Sequence, residues 1–196
     1  MAESVTSEVV AALTPVVAAF DALGVPYRVG GSVASSAYGV PRSTLDVDVA
    51  CDLRLVHVTP LVAALADAYY IDDAMLRDAV RRRACCNLIH LATMLKVDLF
   101  VCQDRAFERT AFTRGERRAL DPAPGARVFD LTSAEDVVLH KLEWFVAGGS
   151  VSERQWLDLV GVLRVQRATI DVPYMRHWAA VLGVEALFER ALGASA

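Results

Sequence analysis

No stretch of this chain reaches ~18 apolar residues without a charge, so no transmembrane helix is expected. The opening segment "MAESVTSEVVAALTP" has neither the basic start nor the apolar core of a signal peptide, and the expectation is a cytoplasmic protein with no membrane partner. Cysteine is sparse: the four, at 51, 85, 86 and 102, show no zinc-ligand spacing and read as reduced, mostly buried thiols. Glycine and proline are not enriched, no segment is low in complexity and there is no internal repeat, which excludes solenoid and collagen-like architectures. His57, His90, His140 and His177 are scattered and read as structural, and no nucleophile elbow or Ser-His-Asp order is present. What the chain does have is apolar content, 55% of 196 residues, sufficient for one buried core or a core with a small helical unit appended.

The net charge of −4 argues against a protein that coats nucleic acid, but the charge is unevenly spread. Residues 77–127 carry 11 basic and 6 acidic groups, net +5, between an acidic first segment (3 basic, 9 acidic) and an acidic last one (6 and 9). Arg81, Arg82, Arg83 and the arginines at 105–118 would form either a local polyanion patch or a set of solvated side chains on exposed strands and loops.

Periodicity divides the chain into an α+β part to about residue 130 and a helical part, 131–196. A helix is expected over 5–23, stopped by Gly24, then a short strand in "VPYRVGG" and a short helix in "SVASSAYG" with Ser32 at or near its N-cap. "TLDVDVACDL" alternates, with Leu45, Val47 and Val49 facing one way. A helix over 56–69 follows, then a hairpin of "CCNLIHL" and "LKVDLFV" around Thr93, and two short strands at 117–120 and 127–131 flanking the turn "DPAPGA". Beyond Leu131 four helices are expected; the first opens on a Ser/Thr cap, the second on a Ser152–Gln155 capping box, and Trp144, Trp156 and Trp178 are expected to pack them together.

The alternation that turns Val47 and Val49 inward turns Asp46 and Asp48 to the opposite side, just downstream of Gly30-Gly31-Ser32. Like charges held close are costly unless a cation compensates. Asp98, flanked by Val97 and Leu99 on a later strand, would join the same sheet face. Hard oxygen ligands of this kind suit Mg²⁺ (or Mn²⁺), which completes its shell with water and substrate phosphates. The plain alternative is three solvated carboxylates on edge strands. Glycines between a strand and a helix N-terminus allow backbone N–H groups to approach a phosphate, although such a turn also occurs for purely local reasons. Lys141, one helical turn from Val137 and Val138 and from Trp144 and Phe145, either snorkels to solvent or meets an anion. Asp158, four residues after Arg154, has a surface ion pair as its simplest reading.

The Gly-Ser turn, a thirteen-residue spacer over 33–45, and then Asp-Val-Asp-Val resembles the signature of the polymerase-β-like nucleotidyltransferase superfamily. Arg42-Ser43-Thr44 before the first aspartate, and Asp98 on a later strand, are similar to that pattern too. The later "LHKLEWF…SERQWLDL" is similar to motifs of the AbiEii/MenT group, nucleotidyltransferases that act as toxins of toxin–antitoxin pairs, with Lys141 and Asp158 at the matching positions; here Arg154 and Asp158 are not tightly paired in sequence.

The resemblance implies a small mixed sheet of nucleotidyltransferase type flanked by helices, followed by a helical unit, with a nucleoside triphosphate such as ATP in the cleft between them. It implies Asp46, Asp48 and Asp98 as metal ligands, with Asp98 also drawing the proton from an acceptor hydroxyl. Gly30, Gly31, Ser32, Arg42, Thr44, Lys141 and Asp158 would serve the nucleotide. The acceptor would be an RNA or tRNA end, with a cognate antitoxin as partner, or a small molecule as in antibiotic-modifying relatives, or a protein. A non-catalytic nucleotide-fold binding module is the alternative from another class.

Overall fold

The computed structural model describes residues 2–121 and 123–195, with side chains from residue 7 onward; Pro122, within the expected "DPAPGA" turn, lies outside the described residues. The chain forms two compact units, Met1–Gly30 with Ser43–Leu131, and Gly31–Arg42 with Thr132–Ala196.

The first unit is built on a mixed sheet. Its strands are β1 (Tyr27–Val29), β2 (Asp46–Cys51), β3 (Tyr69–Tyr70), β4 (Cys85–His90), β5 (Lys96–Val101), β6 (Glu116–Ala119) and β7 (Val128–Leu131). Their order in space is β3-β4-β5-β2-β1-β7-β6, with β2/β5 and β1/β7 parallel and the remaining neighbours antiparallel. Helix α1 (Ala2–Leu23) covers one face: Phe20 packs on the Tyr27 ring, and the Tyr69 hydroxyl donates to the Ala12 carbonyl at 2.5 Å. Val47, Val49, Leu88, Val97 and Leu99 fill that side and are fully buried. Helix α3 (Leu55–Leu65) packs beside α1, α4 (Asp73–Arg82) packs on α3 and β4, and α5 (Ala106–Thr113) follows β5.

Several local expectations change. Helix α3 stops at Leu65, and Tyr69 and Tyr70 instead add an edge strand against β4, because both have strand-favouring aromatic side chains and find free backbone partners there. Leu45 does not share the inward face of Val47 and Val49: it precedes the strand and is 86% exposed. Helices α4 and α5 were not expected; the charged sequence of α4 hides its apolar face, of which Leu76 and Ala79 are the buried residues, although Asp72 caps it by accepting from the Met75 N–H at 2.8 Å.

The second unit is helical: α2 (Gly31–Tyr38), α6 (Ala134–Ala147), α7 (Glu153–Val165), α8 (Val172–Val181) and α9 (Glu185–Ala194). Val138, Leu142, Leu159, Val162, Met175 and Phe188 form its core. Ser133 caps α6 and shares the fully buried Asp136 carboxylate with the Tyr174 hydroxyl, each donating at 2.7 Å. Ser152 caps α7 by accepting from the Gln155 N–H at 3.4 Å, but the reciprocal half of the expected capping box is missing, since the Gln155 Oε1 is buried without a partner. The Trp156 ring lies tilted against Phe145 and the Trp178 ring meets Tyr174 edge-on, whereas Trp144 is 56% exposed.

Candidate functional site

The parallel register of β2 and β5 sets Asp48 directly beside Asp98 and Asp46 beside Lys96. Residues in register on neighbouring strands point to the same side, and so do residues two apart on one strand. Asp46, Asp48, Asp98 and Lys96 therefore share the sheet face opposite the one that α1 covers. Asp98 interrupts the alternation of its strand: it is buried although it faces the polar side. Thr44 fixes the first carboxylate, its hydroxyl donating to Asp46 Oδ1 at 2.7 Å. Asn87 on β4 lies in register with Asp98 and extends the polar face by one strand.

Lys96 is the residue that sequence reasoning missed. Its ammonium lies 2.8 Å from Asp98 Oδ2. The hydrogen bond to Asp98 raises the Lys96 pKa; partial burial opposes this, and the charges of Asp98, Asp46 and Asp48 add to it. The period of two that pairs Asp46 with Asp48 applies equally to Lys96 and Asp98 in "KVD", so the signal was present in the sequence. Cys85 registers the same negative field: burial, then Asp98, Cys86 and Asp48, push its thiol up to about 11. All four cysteines are free, as expected, but Cys85 is exposed.

Strand β1 delivers the chain to the glycine turn, where the Gly30 N–H donates to the Asp48 carbonyl at 2.9 Å. Gly31 has a φ of +52°, the left-handed region where a side chain is strained, so glycine is required to open α2. Ser32 lies inside the first turn of α2 and is not its N-cap. Its hydroxyl instead accepts from Arg42 Nη2 at 2.6 Å.

Within the helical unit, Arg42 grips Asp158 through two bonds, Nε to Oδ1 at 2.7 Å and Nη2 to Oδ2 at 2.8 Å, while Lys141 Nζ donates to Asp158 Oδ2 at 2.9 Å. The Lys141 and Asp158 side chains are 9% and 7% exposed. Lys141 thus does not snorkel, and the partners of Asp158 are Arg42 and Lys141 rather than Arg154. Burial by itself would raise the Asp158 pKa, but hydrogen bonds from Arg42 and Lys141, with their charges, hold it below the usual carboxylate range. Two cations against one carboxylate leave the cluster, Ser32 included, with a net positive charge beside a helix N-terminus, which suits an anion.

No protein-family model matches the chain, and no curated protein does. Solved structures do. The antibiotic-resistance factor ANT(2'')-Ia is 14% identical with a TM-score of 0.50, over 94% of this chain and 93% of that one. An antigenic nucleotidyltransferase-like protein from Paracoccidioides brasiliensis is 15% identical with a TM-score of 0.52, over 93% of this chain and 91% of that one. At such identities the likeness defines the fold: this chain has the α+β fold of nucleotidyltransferase structures.

Proposed function

We propose that the protein is a metal-dependent nucleotidyltransferase that moves a nucleoside monophosphate from a nucleoside triphosphate to an acceptor hydroxyl. The observation that carries this reading is the Asp46–Asp48–Asp98 face, where a parallel register gathers three carboxylates from two strands. By its chemistry the donor set fits a divalent cation, because hard anionic oxygens are what Mg²⁺ and Mn²⁺ prefer. Bound there, such ions supply activation of the attacking hydroxyl and charge neutralisation of the leaving pyrophosphate.

The chain's own groups do the rest. Thr44 holds Asp46 in its ligand orientation, and Asp98 takes the acceptor proton. The Gly30–Gly31 turn and the first turn of α2 offer backbone N–H groups to phosphate oxygens, with Ser32 as a further donor. Arg42 and Lys141 neutralise phosphate charge, and Asp158 serves the nucleotide indirectly by orienting both cations.

A small hydroxylated molecule is the acceptor class we favour over an RNA end. Arg82, Arg105 and Arg109 pair with Asp78, Glu108 and Asp104, and Arg117 lies 3.7 Å from Asp130, so the basic middle segment is largely neutralised by carboxylates of its own unit. Support for a toxin acting on RNA comes from the placement of Lys141 and Asp158 in motifs similar to the AbiEii/MenT group.

The test is transfer of label from α-³²P nucleoside triphosphates, with Mg²⁺, to aminoglycoside-type polyols and to total RNA in parallel. Labelled small molecule is the expected outcome. Labelled RNA, with growth arrest on expression that Lys141→Ala relieves, would establish the toxin reading, and nucleotide binding without any transfer would establish a binding module.

A further inference from the structure

Resting on the metal-dependent reading above, we infer that Lys96 is a tethered counter-ion that competes with the divalent cation for Asp98 and so sets the metal affinity of the site. Three carboxylates on one sheet face carry three negative charges, and Lys96, brought beside Asp46 by the β2/β5 register, supplies a positive one on that same face. Its ammonium sits 2.8 Å from Asp98 Oδ2, the kind of oxygen a metal would take. The two side chains are differently free to move: Asp98 is 12% exposed and fixed in the sheet, whereas Lys96 is 42% exposed and ends a flexible stem.

Cation entry therefore exchanges one positive partner of Asp98 for another. The ammonium swings outward into water at modest cost, because half-exposed ion pairs are weak. A metal bound at Asp98 and an ammonium left in place would repel each other, so the two states are mutually exclusive. The sheet thus keeps Asp98 neutralised when metal is absent, and Lys96 weakens metal binding by the same amount that it stabilises the metal-free face.

The experiment measures Mn²⁺ affinity, by titration calorimetry or water-proton relaxation, for the intact protein and for Lys96→Met, Lys96→Arg and Asp98→Asn, with melting temperatures in EDTA and in saturating Mn²⁺. Lys96→Met should bind Mn²⁺ about fivefold or more tightly than the wild type, and Lys96→Arg should stay close to it. Lys96→Met should also melt below wild type in EDTA and recover in Mn²⁺; a merely structural lysine would show the same deficit in both. Should Lys96→Met not fold, Lys96→Gln makes the same measurement with a polar stem. Unchanged or weaker Mn²⁺ binding in the neutral variants, with wild-type binding abolished by Asp98→Asn, would overturn the counter-ion role and leave the metal site standing. Absence of Mn²⁺ binding in every variant would overturn both.

Discussion

Asp158 shows how much one side chain organises in the helical unit. It joins Arg42, ten residues beyond Ser32 in the chain, to Lys141 on α6, and all three members are wholly or partly buried. Removing one member of a buried charge cluster leaves the others uncompensated, so Asp158→Ala should destabilise the protein by about 3 kcal/mol in chemical denaturation. Because its folded pKa lies below the unfolded value of 3.8, the Asp158 carboxylate contributes stability that is fully present above that value. That contribution is lost as the pH falls through the lower folded pKa. The stability difference between wild type and Asp158→Ala should consequently be constant near neutrality and shrink at the acid end of the profile. A difference that grows on acidification would contradict the pairing.

At the scale of elements, two glycines let the chain after α2 approach α7. A Cβ added to Gly39 would meet the Val162 nitrogen at 2.8 Å and the Gly161 carbonyl carbon at 3.0 Å, both backbone atoms that cannot move aside. Gly161 in turn lies against Val40. Gly39→Ala should cost about 1–3 kcal/mol, the usual range for overpacking. It should also weaken nucleotide binding, because the segment displaced carries Arg42. Equilibrium unfolding with nucleotide titration checks both.

The same elements show what was readable from sequence. β2 and β5 were legible because period-two alternation survives in "DVDV" and "KVD", and α6 and α7 because Ser133 and Ser152 cap strong apolar stripes. α4 and β3 were not: the first is dominated by exposed charge, and the second is a strand of two residues whose pairing is defined only by its neighbour β4. Lys141 and Asp158 could be singled out singly, but the cluster could not, since Arg42, which grips the same carboxylate, lies 116 positions from Asp158.

For the whole molecule, the acidic balance of −4 and the local pairing of arginines bear on which acceptors the proposed activity would tolerate. Arginines already paired with carboxylates release few counterions, so any binding of RNA should depend only weakly on salt, with an affinity slope well below the ~−4 expected of a protein that neutralises six single-strand phosphates. A steep slope in fluorescence-anisotropy titrations between low and physiological salt would favour the RNA acceptor instead. No helix among the described residues is long and apolar enough to cross a membrane.

The most direct measurement of the central claim is pyrophosphate release from a nucleoside triphosphate in the presence of Mg²⁺ and an acceptor, compared between wild type, Asp48→Asn and Asp98→Asn. Three carboxylates acting together on metal predict that each variant loses transfer by roughly two orders of magnitude or more while keeping the fold. Full activity in Asp98→Asn, or wild-type transfer in EDTA, would contradict it.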